Sequence, residues 1–306
     1  MKKIDLHLHL DGSVLVSTAE DILKMDNLKD KMISTNDNSL EEYLNKFDIP
    51  IKVLQTKENI IRVCKDLINT LINNEVIYAE VRFCPLFHTS LLTLDEVVDS
   101  VLEGLKSDKV KTNVILCMMR NLSYEENMSI ISLAKKYLGK GVCAIDLAGD
   151  ERKYKLNEFI DLFNIVKENN IPFTIHAGEV DHIDIITAIS LGAKRIGHGI
   201  KANDKELELI KENNVLLEIC PTSNIDTKAF NNYNEHNIYD LYRKGVNISI
   251  NTDNMTVSNI DLNKEYNKLL SSFPFTISDL KKINKVVLSY EFLSENEKKE
   301  LLTKMD

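Results

Sequence analysis

Seven histidines occur in the 306-residue chain, and four of them fall where chemistry can be done. His7 and His9 sit two apart in IDLHLHLDG (4–12), alternating with Leu6, Leu8 and Leu10. Side chains two apart on a strand share a face, so two imidazoles project together from one strand end. That is a two-ligand start to a metal site. Alone, the pair reads equally well as two polar residues on the wet face of an edge strand. The balance changes downstream. His176 opens HAGE (176–179), His198 lies within RIGHG (195–199), and Asp253 closes SINTD (249–253).

His7, His9, His176 and Asp253 offer three nitrogens and one oxygen, a borderline-soft set that suits zinc and leaves a position for water. Spacing leaves open whether His198 is instead the ligand and His176 the bystander. Glu179, three residues after His176, can reach the reacting water without ligating, as a general acid or base does. His198 reads as a hydrogen-bond partner that orients the attack. Zinc lowers the pKa of bound water to about 7, so the constellation reads as metal-assisted hydrolysis. The fourth strand ends Asp146-Leu147-Ala148-Gly149, with no lysine before Lys153 to bridge a second metal, so one zinc per chain is expected. No serine or cysteine nucleophile with a basic neighbour is apparent, and no phosphate-cradling glycine loop is present. His88, His182 and His236 fall in loops or helix starts and are expected at the surface.

The elements that must position these groups are short apolar runs at 4–9, 76–82, 112–118, 142–146, 172–176, 195–197, 215–219 and 246–250. Amphipathic patterns at 94–105, 127–138, 157–169, 181–191 and 204–213 separate most of them. Eightfold strand–helix alternation at this length predicts an α/β fold, a (β/α)8 TIM barrel, as one catalytic domain over 1–306. An open doubly wound sheet would carry Gly-x-Gly-x-x-Gly after the first strand, and this chain does not. The four histidines and Asp253 then converge on the carboxyl-terminal rim. Residues 12–75 form a helical insertion after the first strand, with helices expected at 17–23, 40–47 and 57–73 and a polar stretch at 26–39. It emerges on the active-site face and is a lid candidate, with Tyr43, Leu44 and Phe47 as an apolar underside. Satellite core beneath a surface loop is the equal alternative.

Composition narrows the partners. The hydrophobic share is 43% and the net charge -9, with Lys and Arg scattered among acids, which disfavours nucleic acid and anionic membranes. Asp5, His7, His9 and Asp11 would interrupt the apolar part of any signal peptide, and no apolar run spans a bilayer. The five cysteines lack a Cys-x-x-Cys pair and are expected as buried thiols in a reducing, cytoplasmic compartment.

Six segments together carry a family resemblance: DLHLHLDGS (5–13), IDLAGDE (145–151), HAGE (176–179), RIGHG (195–199), CPTSN (220–224) and SINTD (249–253). In that order, over nearly the whole chain, they resemble the adenosine deaminases of the metal-dependent amidohydrolase superfamily. The resemblance implies a (β/α)8 barrel that converts adenosine and 2'-deoxyadenosine to the inosines and ammonia, in purine salvage. It places zinc on His7, His9, His176 and Asp253. It makes Glu179 the proton donor to purine N1 and His198 the residue orienting the attacking hydroxide. Substrate contacts follow at His9, at Asp11 on the ribose 5'-hydroxyl and at the Gly149 N–H on N3, with Tyr43, Leu44 and Phe47 as the gate. Many members carry a second Asp after the ligand Asp where this chain has Asn254, whose NH2 can still donate to N7.

Adenine deaminase is the nearest rival, and Asp11 favours a nucleoside because a ribose hydroxyl gives it a partner. A nucleotide would want a basic cluster, whereas Arg82 and Arg120 are expected to pair with Glu80, Asp146 or Asp150. 5'-Methylthioadenosine stays open as a side substrate. An inactive nucleoside-binding module would be expected to have lost a metal ligand. The expected partner is therefore a small purine nucleoside, with no nucleic acid or membrane, and a monomer.

Overall fold

The computed structural model describes residues 1–35 and 40–305, so the end of the polar stretch 26–39 lies outside the described residues. Eight parallel strands run in sequence order: β1 (Lys3–His9), β2 (Val76–Phe83), β3 (Lys111–Met119), β4 (Val142–Ala148), β5 (Ile175–Ala177), β6 (Arg195–His198), β7 (Leu216–Ile219) and β8 (Asn247–Ile250). β1 to β4 and β5 to β8 form two four-stranded ladders. Two seams join them. Ile145 N–H donates to Pro172 O at 2.9 Å and Thr174 N–H to Ile145 O at 3.0 Å. On the other side His9 N–H donates to Asp253 O at 2.7 Å and Asp253 N–H to His7 O at 2.8 Å. The result is the (β/α)8 barrel that the patterning predicts.

β5 is shorter than the apolar run 172–176 implies. Pro172 has no N–H to give a ladder, so that end is reduced to a single bridge onto β4. Helices Leu94–Gly104, Tyr124–Tyr137, Ile160–Glu168, Ile183–Leu191 and Asp204–Glu212 lie between strands. Three of them begin at reciprocal caps, Thr93 with Glu96, Ser123 with Glu126 and Asn203 with Glu206. The Ser123 cap starts its helix three residues before apolar periodicity alone places it. After β8 come Leu262–Ser272, Ile277–Val287 and Glu295–Met305, which strand–helix alternation leaves unassigned. Asn284 in the second of these accepts from Ile4 N–H at 3.1 Å and fastens the start of β1.

The insertion divides into two parts. Leu28, Met32, Ile49, Val53 and Leu54 are buried in the main core, as the satellite-core alternative expects. Tyr43 instead packs with Val257, Phe47 and Val180 in a separate small cluster above the barrel mouth. Among the described residues no helix is long and apolar enough to cross a membrane. All five cysteines are buried and free, as expected.

Charge is buried inside the barrel. Arg82 of β2 reaches Asp146 of β4 and Glu218 of β7, both at 2.8 Å. Arg195 of β6 reaches Glu218 at 2.6 Å and Glu80 of β2 at 2.5 Å. All five side chains are 0% exposed. Removing Arg82 takes the arginine from buried Asp146 and one of two from Glu218, and breaking a buried pair costs about 3–5 kcal/mol. Arg82→Ala is therefore expected to lower unfolding free energy by about that amount. Urea denaturation would measure it, and a midpoint shift near zero would show that Asp146 and Glu218 are held without the arginine.

Candidate active site

His7 and His176 are each aimed by a carboxylate at the other ring nitrogen. His7 Nδ1 lies 2.8 Å from Glu218 Oε2. Burial would raise the Glu218 carboxyl, but Arg82 and Arg195 outweigh it and hold the group down at about 2. An ionised carboxylate only accepts, so Nδ1 carries the hydrogen and Nε2 keeps its lone pair. That Nε2 is buried and no protein group satisfies it. His176 Nδ1 stands 2.8 Å from Asp146 Oδ2 as an ion-pair contact, without the alignment of a hydrogen bond. The paired nitrogens face β-strand carboxylates, and the free ones face a common centre.

Around that centre the His7 ring is 4.6 Å from His176, 5.0 Å from His198 and 5.4 Å from His9. Asp253 Oδ1 lies 3.6 Å from His7 Nε2 and 3.4 Å from His9 Nε2. Its other oxygen accepts from Ser223 Oγ at 2.6 Å. The donor atoms of His7, His176 and His198 fall within 4.8 Å of one another, as do those of His7, Cys220 and Asp253. Burial pushes the Cys220 thiol well up, which leaves it a protonated and poor donor. Lone pairs turned inward, one carboxylate and an orphaned buried nitrogen fit a divalent cation of the kind nitrogen–oxygen sites hold.

Backbone conformation marks the same place. His198 and Asp253 have φ of 65° and 58°, and among the described non-glycine residues with positive φ they alone are buried. Each such conformation costs about 1–3 kcal/mol and persists where its surroundings over-determine it. Beside them, Gly197 leaves room for the His7 ring, since a methyl there would lie 3.0 Å from His7 Cε1.

The cavity above holds about 450 Å³. His9, Asp11, Tyr43, Leu44, Phe47, Gly149, His176, Glu179, His198, Asp253 and Asn254 all line it, and His7 lies fully buried beneath. The proposed ligands, Glu179, His198 and the expected substrate contacts thus lie in or beneath one cavity. Burial raises the Glu179 carboxyl, against the pull of Thr227 and Asn224. It pushes Asp11 up to about 6.

Several expectations need correction. His88 and His236 are buried, at 1% and 3% exposure, not on the surface; only His182 is open, paired with Glu206. Arg82 does pair with Asp146, but Arg120 pairs with Asp184 at 2.8 Å, because the helix after β5 brings that carboxylate over it. The gate is not wholly apolar. Tyr43 Oη accepts from Asn254 Nδ2 at 2.9 Å and lies 3.3 and 3.2 Å from the hydroxyls of Ser223 and Ser258. The other hydrogen of Asn254 Nδ2 goes to Asp253 Oδ1 at 2.8 Å, so donation to a purine would exchange one of these bonds. Sequence reading gave no role to Glu218, Ser223, Asn224 or Thr227. The signal available was a carboxylate, Glu218, inside an otherwise apolar strand.

A barrel that gathers imidazoles and carboxylates on its carboxyl-terminal rim around one cavity is built as a hydrolase site. A family model described as adenosine deaminase matches residues 2–306. An adenosine deaminase of Clostridium botulinum (strain Langeland) is 41% identical over 98% of this chain and 96% of that protein. The chain belongs to the adenosine deaminase family and is an enzyme, a hydrolase. Among solved structures, the N6-methyl-AMP deaminase of Arabidopsis thaliana is 26% identical with a TM-score of 0.89, covering 100% of this chain and 96% of that one. An adenine deaminase of Arthrobacter aurescens shares the fold, with a TM-score of 0.88 at 21% identity over 99% of this chain and 97% of that one.

Gly12 tests the packing of the rim. A methyl there would lie 2.0 Å from Asn254 Oδ1. Gly12→Ala is expected to displace Asn254 and cost about 1–3 kcal/mol, read by thermal unfolding. An unchanged transition would show that Asn254 swings aside freely.

Proposed function

We propose that this enzyme hydrolyses adenosine and 2'-deoxyadenosine at C6, releasing ammonia and leaving the inosines, with one zinc held by His7, His9, His176 and Asp253. The observation that carries the reading is the half-buried Glu179 carboxyl, raised by desolvation, beside His198 in a cavity floored by that donor set. Bound zinc would supply a hydroxide-strength nucleophile at neutral pH by lowering the pKa of water to about 7.

The chain's own residues do the rest. Glu179 holds a proton for purine N1, so that negative charge does not build up on the ring as C6 becomes tetrahedral. His198 Nε2, 3.7 Å from Glu179 Oε2, orients the incoming oxygen. Asp11 accepts from the ribose 5'-hydroxyl, Gly149 N–H meets N3, and Asn254 contacts the base. Tyr43, Leu44 and Phe47 act as the lid of a single catalytic domain and exclude water from the closed site.

Charge on the walls supports a nucleoside over a nucleotide. Lys153 is the one cationic side chain lining the cavity among the described residues, and it stands 4.0 Å from Asp150. Asp11, Asp150 and Glu151 also line it. A phosphate would meet carboxylates there.

An ultraviolet assay on zinc-loaded protein is expected to show turnover of adenosine and 2'-deoxyadenosine and little of adenine or AMP. Turnover of AMP in preference to adenosine would overturn the substrate assignment. Glu179→Gln is expected to keep zinc content while kcat falls about 10²–10⁴-fold. Turnover at the native rate would remove Glu179 from the mechanism.

A further inference from the structure

His236 lies outside the cavity lining, yet it ties the reacting centre to the backbone through Asn224. Ile238 N–H donates to His236 Nδ1 at 3.1 Å. A backbone amide only donates, so Nδ1 offers its lone pair there and the neutral ring carries its hydrogen on Nε2. That Nε2 lies 3.2 Å from Asn224 Oδ1. The amide oxygen of Asn224 therefore faces His236 and its nitrogen faces the other way. There Nδ2 donates to His198 Nδ1 at 3.0 Å and to Glu179 Oε1 at 3.2 Å. Reversing the amide would set NH2 against the His236 N–H and oxygen against a carboxylate, so the network is satisfied in one orientation only. His198 Nδ1 is then an acceptor, and its ring hydrogen is on Nε2, the nitrogen nearest Glu179.

We infer that Asn224 and His236 are positioning residues that fix His198 as an Nε2–H donor, and that the setting originates at one backbone amide. This decides the alternative that spacing leaves open. A nitrogen that carries hydrogen has no lone pair for a metal, so His198 is the donor and His176 the ligand. The same relay orders Glu179. Its Oε1 accepts from Asn224 and, at 2.8 Å, from Thr227 Oγ1, which leaves Oε2 as the oxygen that carries a transferable proton. His236, Asn224 and His198 are 3%, 0% and 1% exposed. What the donor does in catalysis rests on the deaminase reading; its existence does not.

Long-range proton–nitrogen correlation NMR of the full-length, zinc-loaded chain with labelled histidines tests the relay directly. The expected spectrum has His198 and His236 both protonated on Nε2 and bare on Nδ1; a hydrogen on His198 Nδ1 overturns the inference. Asn224→Asp replaces the donor with a carboxylate that accepts from both rings, so His198 is expected to reverse its tautomer. In that variant kcat is expected to fall about 100-fold with little change in KM. An unreversed tautomer with native kcat would also overturn it. Should Asn224→Asp fail to fold, His236→Phe and His236→Gln read the same relay. Gln can accept from Ile238 N–H and donate to Asn224, so it is expected to recover most of what Phe loses; equal losses overturn the relay. A native tautomer in a protein that does not turn over adenosine would uphold the relay and sink the deaminase reading.

Discussion

The buried ion lattice of Arg82, Arg195, Asp146, Glu218 and Glu80 is the interaction on which the site depends. Barrel interiors are ordinarily filled by branched apolar side chains in layers. Here two guanidiniums bridge three carboxylates drawn from β2, β4 and β7, and two of those carboxylates also take the Nδ1 edges of His7 and His176. Taking such charges out of water costs several kcal/mol per ion, offset only when geometry and hydrogen bonding are both good. A lattice of this kind contributes little net stability over an apolar filling. What it does contribute is aim. With Nδ1 of His7 hydrogen-bonded and Nδ1 of His176 turned to a carboxylate, each of these two imidazoles points its other nitrogen elsewhere. Against burial, Arg82 and Arg195 hold the Glu218 carboxyl down and His176 and Arg82 hold that of Asp146 down, and an ionised carboxylate keeps the hydrogen on the Nδ1 it faces.

That division explains what was legible in the sequence. Strand–helix alternation, the polar strand ends and the pairing of His7 with His9 rest on local periodicity, which a single chain displays. All eight strands are found, and the residues at their ends meet at one cavity. Boundaries slipped where a local device overrode periodicity: Pro172 shortened β5, and the Ser123 cap lengthened a helix. The three helices after β8 have no strand to alternate with, so alternation could not place them. Partner choice was least legible. Arg120 sits one residue past its strand and had three acids near it in motif order, yet it pairs with Asp184 from a helix that only the folded barrel brings near. His236 looks like a loop residue because nothing within a few positions of it shows that Asn224 waits behind the wall.

Tyr43 shows how one hydroxyl alters the meaning of an apolar segment. A sequence reading weighs its ring and places it in a gate. The structure weighs its oxygen, which holds the amide of Asn254, and Asn254 in turn bonds Asp253. Segment and Asp253 carboxylate are thus two hydrogen bonds apart. Motion of one is felt at the other, because a buried amide stripped of a partner costs about 1–3 kcal/mol.

Barrel closure and the donor set turn out to be a single interaction. β1 and the end of β8 are the parts of the sheet farthest apart in sequence, and they pair through His9 N–H to Asp253 O and Asp253 N–H to His7 O. The residues making those backbone bonds are His7, His9 and Asp253, three members of the proposed ligand set. Asp253 can make both bonds and still turn its carboxylate toward the imidazoles because its φ is 58°, an arrangement a regular strand residue could not adopt. The strain is therefore held by the seam itself. Opening the seam would release the strained residue and separate the donors in one step, so the closed barrel and the assembled site stand or fall together.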